Sequence, residues 1–336
     1  MSDAVEATLP VAFPDRAVEE LVGVGPSWNG GNETVGVDFA DGGRAYLKVA
    51  IEGDGSRIAR ERAVLEHVRA SGTVPVPKVL AADSDADPPF LATAPAPGRD
   101  LLDVYAAAED DPERVALLRG VGRTLAALHE GRFGSHGEIV GGRVDAGLEL
   151  ETAGWTDVLL ATIERTREIG TTDRLAGHFD AAIDCVEANR SILDEAPAAL
   201  LHGDVAKPNA FVVDEAAETQ VGLIDWELAH VGDPARDLVR ARDQLCNDFD
   251  SEGPARFGDA VYAGYRERAG GLPEGFETRA PVYRVVRILG RSGFLDQWET
   301  YLDTPMPELV ERIDAELERR LAAVRAAETA DGSHRA

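Results

Sequence analysis

Cysteine and lysine are the scarce residues of this chain. Cys185 and Cys246 lie far apart and form no C-x-x-C pair. They read as buried thiols, not as a disulfide or a metal site. Histidine is sparse and scattered, with seven residues and no H-E-x-x-H, so a zinc centre has no cluster to stand on. No apolar run approaches the length of a membrane span. The first residues, MSDAVEATLPVAFPDRAVEE, lack the basic start and apolar middle of a signal peptide, so a cytoplasmic location is expected. Lysine occurs at positions 48, 78 and 207, and every other basic side chain is arginine. Codon usage would produce that bias too, and Lys78, after VPVP, carries no functional reading.

Positive charge is outnumbered, with 34 basic against 61 acidic side chains and a net charge of -27. Nucleic acid and anionic membrane are poor partners for such a surface. Two readings of the acidity stay open: a surface adapted to molar salt, as in a halophile, or a binding surface for a polycation. The acids are spread along the whole chain, which favours salt adaptation.

What remains is enough to fold. Hydrophobic residues make up 44% of 336, sufficient for one large domain or two lobes with real cores. The first hundred residues read as β-rich. Segments 20–24, 34–39 and 45–49 alternate as strands, with Asp41-Gly42-Gly43 as a hairpin turn. Ser56 is expected to cap a helix running to about Ala70, with Ile58, Val64, Leu65 and Val68 on its apolar side. Segments 79–81 and 90–93 read as further strands, and APAPGR at 94–99 reads as a linker. Beyond it the pattern turns helical: a helix opened by Pro112, then 155–169, 175–194, 234–246, 254–269, 279–300 and 307–327. The Gly-rich stretch 133–152 reads as a loop or insertion. The fold class is therefore α+β, with a small β-rich lobe at 1–97, a hinge near 92–98 and a larger helical lobe at 98–336. A cleft between two lobes is a natural ligand site.

The chemistry concentrates in LLHGDVAKPNAFVVDEAAETQVGLIDWE, residues 200–227. Short apolar runs flank the polar residues, so Asp204 and Asn209 fall on a loop between strands and Asp225 at the end of the next strand. Two carboxylates and an amide then converge. Phosphoryl transfer from a nucleotide needs that set: one carboxylate to orient or deprotonate an acceptor hydroxyl, and hard oxygen ligands for magnesium. Lys48 on the third strand and Glu61 on the next helix form a pair able to grip nucleotide phosphates. The turn GPSWNGGN, ending at Asn32, offers backbone N–H groups to phosphates, but no Gly-Lys-Ser/Thr follows it, and a plain hairpin loop explains it nearly as well. His202 reads as a brace for the loop; with Asp204 it also fits a metal-ligand pair of a hydrolase. His129, ending an apolar helical stripe, reads as structural. Asp233 is placed to cap the helix that Pro234 begins. Asp237, one turn in, is expected to accept backbone N–H bonds from the catalytic loop, although an ordinary acid in a first helical turn explains the position equally well.

HGDVAKPN, together with IDWELAHVGDPARDL, resembles the aminoglycoside phosphotransferase and choline kinase superfamily, and the resemblance runs from about Leu21 to Trp298. The order Lys, Glu, Asp, Asn, Asp fits, as does VPVPKVLAAD after the helix carrying Glu61. The resemblance implies a bilobal protein-kinase-like fold with a small antiparallel N-terminal lobe and a helical C-terminal lobe. It implies that Asp204 orients the acceptor hydroxyl, that Asn209 and Asp225 hold Mg2+, and that Lys48, positioned by Glu61, holds the phosphates of ATP. The backbone of Ala92, Thr93 and Ala94 would receive adenine, and Asp237 would stabilise the catalytic loop. The chain departs from the family at Lys207, where many members carry proline. Lys207 would either neutralise transition-state charge near the γ-phosphate or salt-bridge on the surface. The activation segment of regulated protein kinases is absent, which points to a small-molecule acceptor.

The leading expectation is an ATP- and Mg2+-dependent kinase of a small hydroxylated molecule: a sugar, amino alcohol, homoserine-like compound or aminoglycoside. The acceptor would sit against 155–185 and 284–299, with Arg284, Arg287, Arg291, Trp298 and Glu299 as candidates. Arginines there suit an acceptor bearing an acid group, whereas an aminoglycoside would want acids. The alternatives are a non-catalytic nucleotide-binding module and a metal-dependent hydrolase built on His202 and Asp204.

Overall fold

A computed structural model describes residues 2–23, 31–213, 219–249 and 251–334, with side chains as far as Ala326. Most of the GPSWNGGN turn lies outside the described residues.

The N-terminal part holds α1 (Asp3–Ala12), β1 (Val18–Gly23), β2 (Asn32–Phe39), β3 (Arg44–Ala50), α2 (Ser56–Ser71), β4 (Val79–Asp83) and β5 (Phe90–Thr93). The strands form one antiparallel sheet in the order β1-β2-β3-β5-β4. Alternation assigns its faces. Val35, Val37, Phe39, Ala45, Leu47 and Val49 are buried with Val5 and Phe13, which closes the sheet under α1. Helix α1 was not anticipated. It is short, contains Pro10 and has little drive to form alone; packing of Val5, Ala12 and Phe13 on the sheet, with Phe13 edge-on to Phe39 at 4.9 Å, stabilises it. The intervening residue Lys48 faces the opposite way from Leu47 and Val49, toward α2. Helix α2 buries Ile58, Glu61, Val64, Leu65 and Val68. Ser56 is not its cap: Gly55, at φ 79°, holds that position, and the Asp54 carboxylate accepts the Ser56 N–H at 3.0 Å.

The remainder is mainly helical. It comprises β6 (Gly98–Asp100), α3 (Leu101–Ala107), α4 (Asp111–Leu128), β7 (Arg132–Phe133), β8 (Gly137–Arg143), β9 (Gly147–Thr152), α5 (Trp155–Ile169), α6 (Ala176–Ala188), α7 (Arg190–Asp194) and β10 (Ala198–Leu201). After these come β11 (Ala210–Val213), β12 (Val221–Leu223), β13 (His230–Gly232), α8 (Pro234–Cys246), α9 (Ala255–Ala269), α10 (Phe276–Ser292), α11 (Leu295–Leu302) and α12 (Met306–His334). The stretch 133–152, expected as a loop, is instead largely the antiparallel hairpin β8–β9. Its glycines serve close backbone contact, since a Cβ on Gly137 would lie 2.3 Å from the Glu151 carbonyl oxygen. The helix expected over 279–300 is two helices, α10 and α11, parted at Gly293 and Phe294. No helix of the described residues is long and apolar enough to cross a membrane.

Strand β10 is buried throughout and pairs antiparallel with β13, Leu201 opposite His230. The chain leaves β10 at His202, makes one 3-10 turn over Lys207–Asn209, runs through the β11–β12 hairpin and returns at β13. The loops after β10 and β12 therefore emerge side by side, facing β3 and α2. The fold is α+β with antiparallel sheets and a large helical portion.

Candidate active site

The Lys48 ammonium is the centre of an ion cluster. It donates to Glu61 at 2.7 Å and to Asp225 at 2.6 Å, and lies 3.6 Å from Glu227. Burial alone would lower its pKa, but the carboxylates of Glu61, Asp225 and Glu227 outweigh burial and hold it above the ordinary lysine value. Burial pushes the Glu61 carboxyl up, and Asp225 and Glu227 add to this against the pull of Lys48. Both directions have one origin: a single ammonium faces three carboxylates, whose oxygens lie within 4.8 Å of one another. That surplus of negative charge on hard oxygens suits a divalent cation. The fit extends to free lone pairs. Among the described residues, the second Asp225 oxygen accepts no hydrogen bond. The side-chain Oδ1 of Asn209 accepts none either, because the Asn209 Nδ2 is turned to Asp204.

Glu61 also joins the two parts of the chain. One of its oxygens holds Lys48 and the other accepts the Trp226 N–H at 3.2 Å. That bond steadies an unusual turn, since Asp225 sits at φ 62°, a region costly for a residue with a Cβ. Asn32, the first residue of β2, donates to Glu227 at 2.6 Å. Arg60 ties α2 to the β8 hairpin and to the Glu227 carbonyl. Glu227 was not singled out from sequence; its signal was its place two residues after Asp225.

Asp204 stands on the other side of Asn209. One of its oxygens accepts from Arg240 at 2.7 Å and from Gln244 at 2.8 Å, and the other from Asn209 at 3.2 Å. Burial acts to raise its pKa, but Arg240 and Gln244 prevail and hold the carboxyl below its ordinary value. Arg240 and Gln244 were missed in the sequence, although with Arg236 they recur every four residues and so share one face of α8.

The loop is fixed from beneath. Buried Asp237 accepts the backbone N–H of His202 with one oxygen and of Gly203 with the other, both at 2.9 Å. His129 bridges Asp237 through Nε2 at 3.3 Å and the Tyr265 hydroxyl through Nδ1 at 3.2 Å. Gly203 must be glycine: its φ is 81°, and a Cβ there would meet the Leu228 carbonyl oxygen at 2.4 Å. His202 is buried and packs, tilted, against Trp226 with ring centroids 4.5 Å apart. Burial lowers its pKa, so the ring is neutral. Nε2–H donates to the Ile224 carbonyl and Nδ1 accepts the Asp204 N–H, an assignment that follows from the partners. Neither nitrogen is left for a metal, which removes the histidine the hydrolase alternative needs. Asp233 caps α8 through the Ala235 N–H and also binds Arg279 and Tyr283.

Other candidates are placed elsewhere. Lys207 was expected either to neutralise charge near the γ-phosphate or to salt-bridge on the surface. Its ammonium instead donates to the Leu245 carbonyl at 2.6 Å and lies over the Tyr105 ring. The 3-10 turn that carries it points it at the carbonyl-rich end of α8, where a cation is favoured. Burial lowers its pKa. At the hinge, β5 ends at Thr93, Ala92 is fully buried, and the Ala94 N–H is already donated to the Lys78 carbonyl at 2.8 Å. Among the acceptor candidates, Arg291 is buried on Asp243 and the carbonyls of Asp248 and Phe249. The Arg284 carbonyl accepts from Arg320, Trp298 packs on Phe249, and Glu299 accepts the Met306 N–H. Arg287 bonds Asp243 at 2.8 Å and lies near enough to Asp204 to feel its charge.

Solved structures share this architecture. A protein named as a fructosamine-3-kinase from Thermobifida fusca is 22% identical, with a TM-score of 0.59, over 94% of this chain and 99% of its own. A thermostable variant of aminoglycoside phosphotransferase APH(4)-Ia, solved with ADP and hygromycin B, is 19% identical with a TM-score of 0.63, covering 94% and 98%. The GDP and kanamycin complex of APH(2")-IIia is 15% identical with a TM-score of 0.62, covering 95% and 98%. At these identities the likeness is one of fold. No curated protein sequence matches the chain. The model of the phosphotransferase enzyme family matches residues 26–281, well over half of the chain, and so the chain belongs to that family.

Proposed function

We propose that this phosphotransferase moves the γ-phosphoryl group of ATP to a hydroxyl of a small molecule, in a cleft between residues 1–97 and 98–336. The observation that carries the reading is the bridge from β3 and α2 to the turn after β12: Lys48 and Glu61 meet Asp225 within hydrogen-bond distance, with Asn209 and Asp204 on the adjoining loop. Lys48 leaves Asp225 to hold the α- and β-phosphates while Glu61 keeps it in place. Asp225 and Asn209 supply oxygens to Mg2+, which would neutralise charge on the phosphates when bound. Adenine would be received by the backbone of Ala92, Thr93 and Ala94, where the chain leaves β5. Of its backbone groups, the Ala94 N–H already has a partner.

Asp204 orients the acceptor. The hydroxyl oxygen attacks the γ-phosphorus, its proton passes to the Asp204 carboxylate, and the bond to the β–γ bridging oxygen breaks. ADP departs with that electron pair. His202 and Asp237 take no part in bond making; they fix the height of the loop on which Asp204 stands. Lys207 has no role in this scheme. Two of the neighbours were solved with adenine nucleotides or GDP; the choice of ATP here is tested directly.

The test is calorimetric binding of AMP-PNP and its guanine counterpart, with and without Mg2+, to wild type, Lys48→Met and Asp225→Asn. Tight adenine-nucleotide binding that requires Mg2+ and weakens at least about tenfold in both variants supports the reading. Wild type binding no nucleotide would end it.

A further inference from the structure

In a chain of net charge -27, the wall beside Asp204 is made of arginines. Arg240 of α8 bonds Asp204 and Arg287 of α10 lies near it; Arg236 shares the Arg240 face of α8, and Arg165 of α5 and Arg60 of α2 carry the positive patch on past Arg236 and His230. Burial, and then the repulsion of Arg240, lowers the Arg236 guanidinium to about 10 against the pull of Asp237, which is itself committed to the backbone N–H groups of His202 and Gly203. Burial does the same to Arg287, where Arg240 and Arg291 oppose the pull of Asp243. Arg60 is lowered by burial and by Arg165 and Arg57, against the pull of Glu138. The carboxylates in reach are few. Glu138 serves Arg60 and Arg165, Asp243 serves Arg287 and Arg291, and Asp204 serves Arg240.

Arg236 has no carboxylate within ion-pair distance among the described residues. It donates to His230 Nε2 at 2.6 Å and lies over the Trp155 ring. His230 donates its Nδ1–H to the Leu228 carbonyl, so Nε2 can only accept, and the ring stays neutral. A partly buried cation beside a neutral imidazole is an unfinished electrostatic arrangement. Arg240 presents a second one. It shares one Asp204 oxygen with Gln244, and on moving off that oxygen to open the carboxylate to the acceptor hydroxyl, its own charge needs a new partner.

An anion on the acceptor resolves both. We propose that the phosphate acceptor carries, besides its hydroxyl, a carboxylate or phosphate group, and that Arg240 moves from Asp204 to that group with Arg236 alongside. The inference rests on the kinase reading above and narrows its substrate to anionic hydroxy compounds. A polycationic aminoglycoside would meet this wall with like charge, at a cost that grows with each unscreened pair. Arginine suits the task, since its planar fork binds carboxylate and phosphate bidentately.

The experiment uses wild type, Arg236→Gln and Arg240→Gln, each saturated with AMP-PNP and Mg2+ so that the nucleotide site is filled. Malonate, inorganic phosphate and kanamycin are titrated calorimetrically at constant ionic strength. The expected result is that wild type binds one or both anions and not kanamycin, and that each variant loses about tenfold or more in anion affinity. Stronger binding of malonate would assign a carboxylate acceptor, and stronger binding of phosphate a phosphorylated one. No anion binding by wild type, kanamycin binding tighter than either anion, or anion affinities unchanged in both variants would overturn the proposal. AMP-PNP binding in the same samples reports folding and the nucleotide reading separately: its loss in wild type would strike the kinase reading, and its retention confines any failure to the acceptor inference.

Discussion

Asp237→Asn separates two roles that the sequence leaves equal for this acid. If Asp237 only sat in the first turn of α8 and complemented the helix dipole, its loss would cost under about 1 kcal/mol. The structure gives it more. Both oxygens accept buried backbone N–H groups, from His202 and Gly203, at 2.9 Å, and the residue is 2% exposed. Hydrogen bonds to a charged group are worth about 1.5–3 kcal/mol each. The asparagine keeps one acceptor and turns an NH2 against the other N–H, so one bond is lost outright and the other loses its charge. A destabilisation of about 3 kcal/mol follows. With a urea slope near 3 kcal/mol per molar for a chain of this size, the midpoint falls by about 1 M. The pH dependence has a definite sign. The hydrogen bonds from His129 and from the His202 backbone outweigh burial and hold the Asp237 carboxyl well below its usual range. A depressed carboxyl contributes stability that is present above the unfolded value of about 3.9 and lost as pH falls below it. The wild-type advantage is therefore flat from about pH 5 to 8 and shrinks below about pH 4. Urea titrations at several pH values check this. A shift worth less than about 1 kcal/mol at neutral pH would refute the reasoning and return Asp237 to the role of a dipole partner.

Further outcomes can be measured independently. Lys48→Met is expected to weaken AMP-PNP binding and to lower kcat by about a hundredfold or more, because Glu61 and Asp225 would face each other without their cation. Lys207→Met is expected to leave kcat within about threefold in steady-state assays, since its ammonium is engaged by Leu245; a loss like that of Lys48 would restore it to the phosphate site. Arg240→Gln removes the largest influence lowering the Asp204 pKa, so the acidic limb of kcat/KM should move to higher pH, as read from pH–rate profiles. If the surface acids answer to salt, the thermal midpoint should rise from dilute buffer to molar KCl as self-repulsion is screened; a flat response would leave the polycation reading.

The parts of this protein legible in its sequence are those where local chemistry and local conformation coincide. Asp204, Asn209 and Asp225 sit on short loops between fully buried strands, and buried strands announce themselves as apolar runs. Lys48 follows from strand alternation, and Glu61 from its place on the next helix. What was not legible depends on partners distant in sequence. Helix α1 exists because a sheet lies beneath it. The 133–152 stretch forms a hairpin because its glycines admit a neighbouring backbone, and composition alone reads such a stretch as a loop. Lys207 is local to the catalytic loop, but the 3-10 turn and the end of α8 decide its direction. The same holds for arginines. Arg291, a candidate for the acceptor, is buried on Asp243, whereas Arg240, unremarkable in a charged stretch, meets the Asp204 carboxylate.

The most direct test of the account is ADP release in molar KCl with MgATP, across neutral, anionic and cationic hydroxy acceptors, for wild type and Asp204→Ala. The account predicts release that requires an acceptor and falls by about a hundredfold or more in the variant, with AMP-PNP binding retained. Release that ignores the acceptor, or a variant that turns over at nearly the wild-type rate, would contradict it.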